Sequence, residues 1–270
     1  MSTEIEQYAA QLVTSMALRE AALGDAVRAL APAAGSRGLD VGCGAGLQCI
    51  MLAEAAGPDG HVTGADVVPE FLELGRGLVE EAGLAGRVTL QEGDANQLPF
   101  ADDAFDWAWS VDCVGYGPWD PMPPLHEMSR VVRPGGQVAI LAWSSETLLP
   151  GHPVLEARLQ ATTAGLAPFQ RDMPPERHLP RALGLLRAAG LTDLRAHTLA
   201  GAAHAPLAAD VRAGLASLFE MRWPGVEAEL EPAHLAEFAR LCRPESPAFI
   251  LDHEDYYALF TYSMFVGRVS

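Results

Sequence analysis

The sequence predicts an α/β fold built around a doubly wound parallel sheet. Short apolar runs alternate with helical patterns over the first half of the chain, which is typical of strand–helix–strand units. The first apolar run leads into a glycine-rich turn at Gly42–Gly46, and a helical pattern begins directly afterwards at Leu47. Open α/β sheets bind their ligands where a strand enters a helix through such a turn. We therefore expect a ligand site at this turn.

The expected elements follow the chain in order. Residues 4–30 carry apolar side chains at helical intervals and are expected to form two amphipathic helices before the first strand. Strands are expected near residues 38–42, 61–66, 87–92, 105–111 and 136–143. Helices are expected near residues 46–56, 69–83 and 121–132. The second of these helices opens on Pro69, which suits a first helical turn.

Two excursions interrupt the predicted sheet in the second half of the chain. We divide the sequence into an N-terminal helical cap, a ligand-binding core, a helical lid insertion, a continuation of the core, a second helical insertion and a last core strand, at residues 1–32, 33–145, 146–182, 183–200, 201–254 and 255–270. Both excursions leave the sheet at its ligand-binding edge, so we expect them to roof a substrate pocket. The alternative is that they only extend the core or form a dimer contact.

Acidic residues at strand ends narrow the choice of ligand. Counting from Gly42, the sixth position of the glycine fingerprint is Leu47, which disfavours a nicotinamide dinucleotide. Asp66 ends the second strand about twenty residues later, where an acid accepts both hydroxyls of a ribose. Asp94 follows the third strand and is placed to accept from an exocyclic amine such as that of adenine. Its alternative role is that of a turn or N-cap aspartate.

Taken in order, five segments resemble the class I S-adenosylmethionine-dependent methyltransferases, and most of all the branch that includes the ubiquinone and menaquinone biosynthesis methyltransferases. These segments are Leu39–Gly46, Asp66–Glu70, Gly93–Phe100, Phe105–Asp106 and Glu127–Gly136. The family usually has lysine where Arg133 stands, in a turn. The resemblance implies a Rossmann-like sheet of seven strands with an antiparallel terminal strand, and S-adenosylmethionine as the cofactor.

The resemblance also implies which residues contact the cofactor. Asp40 would support the glycine turn and approach the amino group of the cofactor, and Asp66 would hold the ribose. Asp94 and Ala95 would meet the edge of the adenine. The full set expected to bind the cofactor is Asp40, Gly42, Gly44, Gly46, Asp66, Val67, Asp94, Ala95, Ser110 and Val111.

Residues after the fourth and fifth strands are candidates for the acceptor site. Asp112, Tyr116 and Trp143 lie where an acceptor would meet the cofactor. Aromatic side chains there can position a flat acceptor or contact a sulfonium through cation–π attraction. His152 is placed as a general base, with a helix-entry turn as its alternative role. The histidines and cysteines have no metal-ligand spacing, so no metal is expected.

The composition limits the partners of the protein. The chain has 270 residues and a formal charge of −17, which repels phosphate backbones and anionic lipid, so neither nucleic acid nor a membrane is an expected partner. All 18 basic residues are arginine, which excludes lysine-based catalysis. The sequence shows neither a secretory signal pattern nor a membrane-length apolar stretch, so we expect a cytoplasmic protein. A monomer and a homodimer both stay open.

These observations favour an enzyme that transfers a methyl group from S-adenosylmethionine to a small acceptor by in-line displacement. The acceptor is expected to be apolar, such as a quinol or another aromatic compound. Whether oxygen, carbon or nitrogen is methylated does not follow from the residues. Two alternatives stay open: a Rossmann-type NAD-dependent oxidoreductase, and a protein of the same fold that binds the cofactor without transferring a methyl group.

Overall fold

A computed structural model gives the fold and describes residues 2–166 and 173–270. Within those residues, helices α1 to α9 are Ser2–Thr14, Met16–Leu30, Leu47–Ala55, Pro69–Glu81, Met122–Val131, Pro153–Gln160, Ala182–Ala188, Ala209–Arg222 and Pro232–Cys242. Strands β1 to β7 are Arg37–Val41, His61–Asp66, Val88–Glu92, Phe105–Val111, Val132–Thr147, Thr192–His204 and Tyr257–Arg268. Short 3₁₀ turns lie at Pro175–Arg177, Leu179–Arg181, Val226–Ala228 and Ile250–Asp252.

The strands form one sheet of seven in the order β3-β2-β1-β4-β5-β7-β6. Strands β1 to β5 pair in parallel, whereas β7 runs antiparallel to both of its neighbours, β5 and β6. The chain winds outward from β1 to β3, returns to the middle at β4 and then winds the other way. The switch point therefore lies between β1 and β4. The predicted doubly wound sheet with an antiparallel last strand is confirmed.

The turn expected before the fifth strand is absorbed into a longer β5. This strand begins at Val132 rather than near residue 136, and it continues to Thr147. Its register against β4 shifts beside the segment Arg133–Gly136, where Gly135 has a left-handed φ of +79°. The turn is thus present as an irregularity in the strand pairing, and the carboxyl end of β5 lies four residues beyond the expected end at residue 143.

Two apolar layers enclose the sheet. One layer contains α2, α3 and α4 together with Trp107 and Trp109 of β4, both of which are buried. The other layer contains α5 and α7, which pack on Ala108 from the same strand. Because side chains alternate along a strand, the central strand β4 supplies both layers at once. Because both faces of the sheet are covered by apolar side chains, functional side chains can lie only at the carboxyl ends of the strands and in the loops that follow.

Helices α1, α2 and α8 pack against one another beside the carboxyl edge of the sheet. α1 also reaches α4, where the rings of Tyr8 and Phe71 lie 6.0 Å apart. α6 packs against α9. Part of the lid insertion expected at residues 146–182, namely residues 167–172, lies outside the described residues. The division of the chain into domains stays a prediction.

Two kinds of feature are missing from the described part of the chain. Over residues 2–166 and 173–270, no helix combines the length and apolar character needed to cross a membrane. In the same residues, no group of three or more His, Cys, Asp or Glu side chains is arranged to hold a metal ion.

Candidate functional site

A cavity of about 880 Å³ lies at the carboxyl edge of the sheet, beside the switch point between β1 and β4. This is where open α/β sheets bind ligands. Ten residues predicted from the sequence line it, namely Gly42, Gly44, Asp66, Val67, Asp94, Ala95, Val111, Asp112, Tyr116 and Trp143. Four other predicted residues do not line it, namely Asp40, Gly46, Ser110 and His152.

The glycine turn brings bare backbone to the cavity. Gly42, Gly44 and Gly46 have left-handed φ angles of +73°, +52° and +68°, which residues with a Cβ rarely adopt. A Cβ at Gly42 would collide with the Cys113 thiol, whereas a Cβ at Gly44 would meet no protein atom within 4 Å. A Cβ at Gly46 would press on Leu90. Gly46 therefore serves packing at the start of α3, and Gly44 leaves open space in the cavity.

Asp66, at the end of β2, joins the glycine turn to the next loop. Its Oδ2 accepts a hydrogen bond from the Gly44 N–H at 2.8 Å, and its Oδ1 accepts one from the Val68 N–H at 3.0 Å. A carboxylate oxygen has two lone pairs, so each oxygen retains capacity for one further donor. This arrangement suits a vicinal diol, whose two hydroxyls can bind the two oxygens of one carboxylate.

Asp94 follows β3 and lines the cavity from within a tight turn. Its Oδ1 accepts hydrogen bonds from the backbone N–H and the Nδ2 of Asn96, both at 2.8 Å. Its carbonyl accepts from the Gln97 N–H at 2.9 Å. The turn role given as the alternative for Asp94 therefore describes the bonds it makes within the protein. Both side-chain bonds use Oδ1, so Oδ2 can accept from an amine in the cavity.

Asp40 and Ser110 lie behind the cavity wall rather than on it. Asp40 is 1% exposed and accepts a hydrogen bond from the Cys49 thiol at 3.4 Å. Ser110 donates to the Val41 carbonyl at 2.8 Å and accepts from the Val114 N–H at 3.1 Å. Both residues therefore hold the strand ends that carry the site, and for Asp40 this agrees with the expected support of the glycine turn. Contact of either residue with the cofactor stays a prediction.

The buried carboxyl of Asp40 makes stability depend on pH. Burial raises the pKa of Asp40 to about 7, partly opposed by the hydrogen bond from Cys49, whereas the unfolded chain has a pKa of about 4 for aspartate. The unfolded chain therefore loses this proton first, and this contribution to stability falls as the pH rises from about 4 to about 7. We expect Asp40→Asn to remove that decline. Urea unfolding at about pH 4.5 and about pH 8 measures it.

The parent protein should match Asp40→Asn in stability at the lower pH and be less stable at the higher pH. A difference between the two proteins that does not change with pH would contradict the raised pKa of Asp40.

Three polar side chains meet at the cavity wall and are called the Asp112 cluster: Arg19, Asp112 and Tyr262. Asp112 Oδ1 accepts from the Trp143 N–H at 2.9 Å, and Oδ2 accepts from the Tyr262 hydroxyl at 3.2 Å. Arg19 Nη1 lies 3.6 Å from the same Oδ2. Burial raises the pKa of Asp112, although these three donors oppose the shift. The cluster connects α2 to the end of β4 and the middle of β7.

The indole of Trp143 is held on two sides. Its ring stacks on Phe260 with the centroids 4.4 Å apart, and its Nε1 donates to Glu146 Oε2 at 2.6 Å. Glu146 is 8% exposed, and its other oxygen accepts from Arg222 Nε at 2.7 Å. Trp143 is therefore a rigid aromatic surface at the cavity, supported by β7 and α8.

His152 lies outside the cavity. It directly precedes α6, where its carbonyl accepts from the Glu156 N–H at 3.1 Å, and its Nδ1 lies 2.8 Å from Oε1 of Glu237 in α9. The structure agrees with the helix-entry turn that was its alternative role. A role as general base gains no support from this geometry, because the ring pairs with α9 instead of reaching the cavity.

Replacing His152 with alanine should leave kcat within about twofold of the parent value. The change removes a partly exposed contact with Glu237, which contributes less than about 1 kcal/mol to stability. Release of S-adenosylhomocysteine measures kcat, and a thermal melt measures stability. A drop in kcat of about tenfold or more at unchanged cofactor affinity would instead restore the general-base role.

Sequence reasoning missed Arg19, Tyr262 and Arg222, which line the cavity from α2, β7 and α8. One signal was available for Arg19, because it shares the buried face of α2 with Leu23 and Leu30. A charged residue on an apolar helix face indicates a buried partner or a ligand. For Tyr262 there is no local signal, since only the pairing of β7 with β5 brings it beside the cavity.

Comparison with known proteins identifies the family. A family model described as a methyltransferase domain matches residues 39–136. The demethylmenaquinone methyltransferase of Bacillus velezensis is 34% identical over 185 residues, which covers 62% of this chain and 76% of that protein. The chain belongs to the class I S-adenosylmethionine-dependent methyltransferases. Its branch is the one that includes the menaquinone biosynthesis enzymes, and the predicted family, enzyme class and cofactor are confirmed.

Other relatives and solved structures that are similar to this methyltransferase differ in the share of the chain that they cover. The demethylmenaquinone methyltransferase of Listeria welshimeri is 44% identical over 121 residues, which is 43% of this chain and about half, 48%, of that protein. The solved structure of the [4+2]-cyclase SpnF is 25% identical, with a TM-score of 0.52 over 89% of this chain and 79% of that one. A geranyl diphosphate methyltransferase in complex with S-adenosylmethionine, 16% identical, shares the fold with a TM-score of 0.56 over 97% of this chain and 90% of that one.

Proposed function

We propose that this methyltransferase methylates a small, largely apolar acceptor, aromatic or quinol-like, in the part of the cavity near Tyr116, Trp143 and α8. The observation that carries the proposal is the indole of Trp143, stacked on Phe260 and hydrogen-bonded to Glu146. A flat acceptor gains stacking energy on such a surface without having to order it first. α8 adds the apolar side chains of Leu218 and Met221 to the same cavity.

The other part of the cavity fits S-adenosylmethionine. We assign the ribose to Asp66, whose two oxygens each retain a lone pair, and the adenine to Asp94 and Ala95. Val67, which is 57% exposed at the cavity, would pack on the adenine ring. The open space at Gly44 suits the methionine portion. The bound cofactor supplies a methyl group on a sulfonium, which is already an excellent leaving centre.

The contribution of the protein to methyl transfer is then mainly positioning. The cavity walls would hold the nucleophilic atom of the acceptor in line with the sulfonium, at a near-attack distance of about 3–3.5 Å. Holding two reactants in this way can supply roughly 7–11 kcal/mol of the barrier. A phenol or an activated carbon needs little help from a base, and this agrees with the position of His152 outside the cavity.

The names of the relatives support an aromatic acceptor. The proteins of Bacillus velezensis and Bacillus subtilis, at 34% and 33% identity, are both named demethylmenaquinone methyltransferases. A naphthoquinol is flat and largely apolar, which matches the surface formed by Trp143, Leu218 and Met221. We therefore place naphthoquinols first among the acceptors to be tested.

A panel of acceptors tests this proposal. The protein is incubated with S-adenosylmethionine and, separately, with naphthols, quinols, simple phenols and terpenoid alcohols. Mass spectrometry then follows S-adenosylhomocysteine and the methylated product. We expect both products with at least one aromatic acceptor. The absence of S-adenosylhomocysteine across the whole panel, with the cofactor bound, would contradict the proposal.

A second candidate function is cofactor binding without methyl transfer. What supports it is that SpnF, 25% identical and aligned over 89% of this chain, is named for a [4+2] cyclisation rather than for methyl transfer. In this case the acceptor panel would yield no S-adenosylhomocysteine although calorimetry detects tight binding of S-adenosylmethionine. NADH in the same calorimeter tests the oxidoreductase alternative, for which we expect no binding.

The remaining partners stay proposals. The exclusion of nucleic acid rests on the formal charge of −17, and the cytoplasmic location rests on the sequence pattern. A homodimer stays a candidate assembly. Light scattering measures the assembly, and a gel-shift experiment with a mixed RNA sample tests the exclusion of nucleic acid.

A further inference from the structure

The two arginines Arg19 and Arg222 at the cavity wall differ in how completely the protein pairs them. Arg222 Nε donates a hydrogen bond to one oxygen of Glu146 at 2.7 Å, and the Trp143 indole N–H donates one to the other oxygen at 2.6 Å. The Arg19 guanidinium, by contrast, lies 3.6 Å from the Asp112 carboxylate. Charge-assisted hydrogen bonds between such groups measure about 2.7–2.9 Å. Arg222 and Glu146 therefore form a direct hydrogen-bonded ion pair, whereas Arg19 and Asp112 are too far apart for a direct hydrogen bond.

Arg19 is also incompletely satisfied by the rest of its surroundings. It is 9% exposed, and its Nη2 donates to the Leu12 carbonyl at 3.2 Å. The Tyr262 hydroxyl donates its hydrogen bond to Asp112 Oδ2 at 3.2 Å. Its Nε is buried and has no hydrogen-bond partner in the part of the chain that the structure describes. A guanidinium has five N–H donors, and leaving a buried charged group short of acceptors is unfavourable. The Nη1 side of the guanidinium, which faces Asp112 across 3.6 Å, is where an acceptor atom supplied by a ligand would add the missing hydrogen bond.

Asp112 provides the complementary group beside this donor. Its Oδ2 receives the Tyr262 hydroxyl at 3.2 Å and faces Arg19 across 3.6 Å, and both Asp112 and Arg19 line the cavity. One point of the wall thus offers a cationic donor next to an anionic acceptor. A hydroxyl group matches both, because it donates one hydrogen bond and accepts others. A carbonyl or an ether oxygen has no proton for the carboxylate.

We propose that Arg19 and Asp112 together bind a hydroxyl group of the acceptor, and so select a phenol or quinol over the corresponding quinone or methyl ether. Arg19 donates to the hydroxyl oxygen, Asp112 accepts the hydroxyl proton in a hydrogen bond, and Tyr262 is a positioning residue that acts through Asp112. The inference rests on the proposed function, because it concerns the acceptor site of the same cavity. It names the chemical group that the site recognises.

A pair of ligands that differ only at this group tests the inference. Calorimetry measures the binding of 1-naphthol and of 1-methoxynaphthalene to the protein saturated with S-adenosylhomocysteine. We expect the parent protein to prefer 1-naphthol by at least about tenfold, the effect of hydrogen bonds to charged groups. In Arg19→Met the preference should fall below about threefold.

Arg28→Met is the matched control. Arg28 lies on the same helix, its side chain is 72% exposed, and its partner is Asp25 rather than a cavity residue. It should keep the preference of the parent protein. Arg19→Gln, which keeps a donor without the charge, is a second variant in case Arg19→Met folds poorly, and its preference should be intermediate. The affinity for S-adenosylhomocysteine, measured in each variant, shows that the cofactor part of the cavity is intact.

The outcomes separate this inference from the proposed function. Equal binding of the two naphthalenes by the parent, or a parental preference in Arg19→Met or Arg19→Gln, overturns the inference and leaves the aromatic acceptor in place. Binding of neither naphthalene, with S-adenosylhomocysteine bound, overturns both. The inference is supported if Arg19→Met loses the preference for 1-naphthol, Arg19→Gln keeps part of it, and Arg28→Met keeps all of it.

Discussion

Replacing Asp66 with alanine is expected to lower the affinity for S-adenosylmethionine at least hundredfold. Two charge-assisted hydrogen bonds to the ribose hydroxyls would be lost, each worth roughly 1.5–3 kcal/mol, and a hundredfold change corresponds to about 2.8 kcal/mol. The substitution also releases the N–H groups of Gly44 and Val68, which Asp66 now holds. The turn that meets the methionine portion therefore loosens as well. Calorimetric titration with the cofactor measures the loss.

Glu92 supplies the matched control for this experiment. It ends β3 directly beside Asp66 in the strand register, yet it is exposed and does not line the cavity. Glu92→Ala removes the same charge from the same edge of the sheet and should leave the affinity within about twofold. A near-parental affinity in Asp66→Ala would contradict the ribose assignment. Equal losses in both variants would attribute the effect to net charge rather than to contact.

Replacing Glu146 with alanine is expected to lower the free energy of unfolding by about 3–5 kcal/mol. The side chain of Glu146 is 2% exposed and accepts hydrogen bonds from Arg222 Nε and from the indole N–H of Trp143. Its removal leaves a largely buried guanidinium and an indole donor without their partner. Urea unfolding measures the loss. The freed Trp143 should also raise the KM for an aromatic acceptor more than it lowers the affinity for the cofactor.

Two further variants separate the ion pair from general damage. Removing both charges in Glu146→Ala/Arg222→Met should cost less than the sum of the two single changes, because neither partner is then left unpaired. Glu73→Ala breaks an exposed pair with Arg76 in α4 and should cost no more than about 0.5 kcal/mol. A loss below about 1 kcal/mol in Glu146→Ala, or strict additivity in the double variant, would contradict this account.

The part of the cavity that we assign to the cofactor was predictable because its signals are local. The glycine turn Gly42–Gly46 and the acid Asp66 each follow a strand that is recognisable from its apolar run, and parallel strands bring their carboxyl ends to one edge. A residue at the carboxyl end of a strand does not always point into the cavity, however. Asp40 and Ser110 sit at the predicted strands, but both are turned into the protein.

The acceptor part was less predictable because it is assembled from distant segments. Arg19 reaches Asp112 from α2, and Tyr262 reaches it because β7 pairs with β5. His152 lies outside the cavity for a related reason. β5 extends to Thr147 instead of ending near residue 143, and this carries His152 past the cavity to a contact with α9.

A crystal structure with S-adenosylmethionine bound tests the central claim most directly. We expect both ribose hydroxyls within hydrogen-bond distance of the two oxygens of Asp66, and the adenine amino group beside Asp94. The methyl group should face the part of the cavity near Trp143 and Tyr116. An adenine that points away from Asp94, or a ribose that does not touch Asp66, would contradict it.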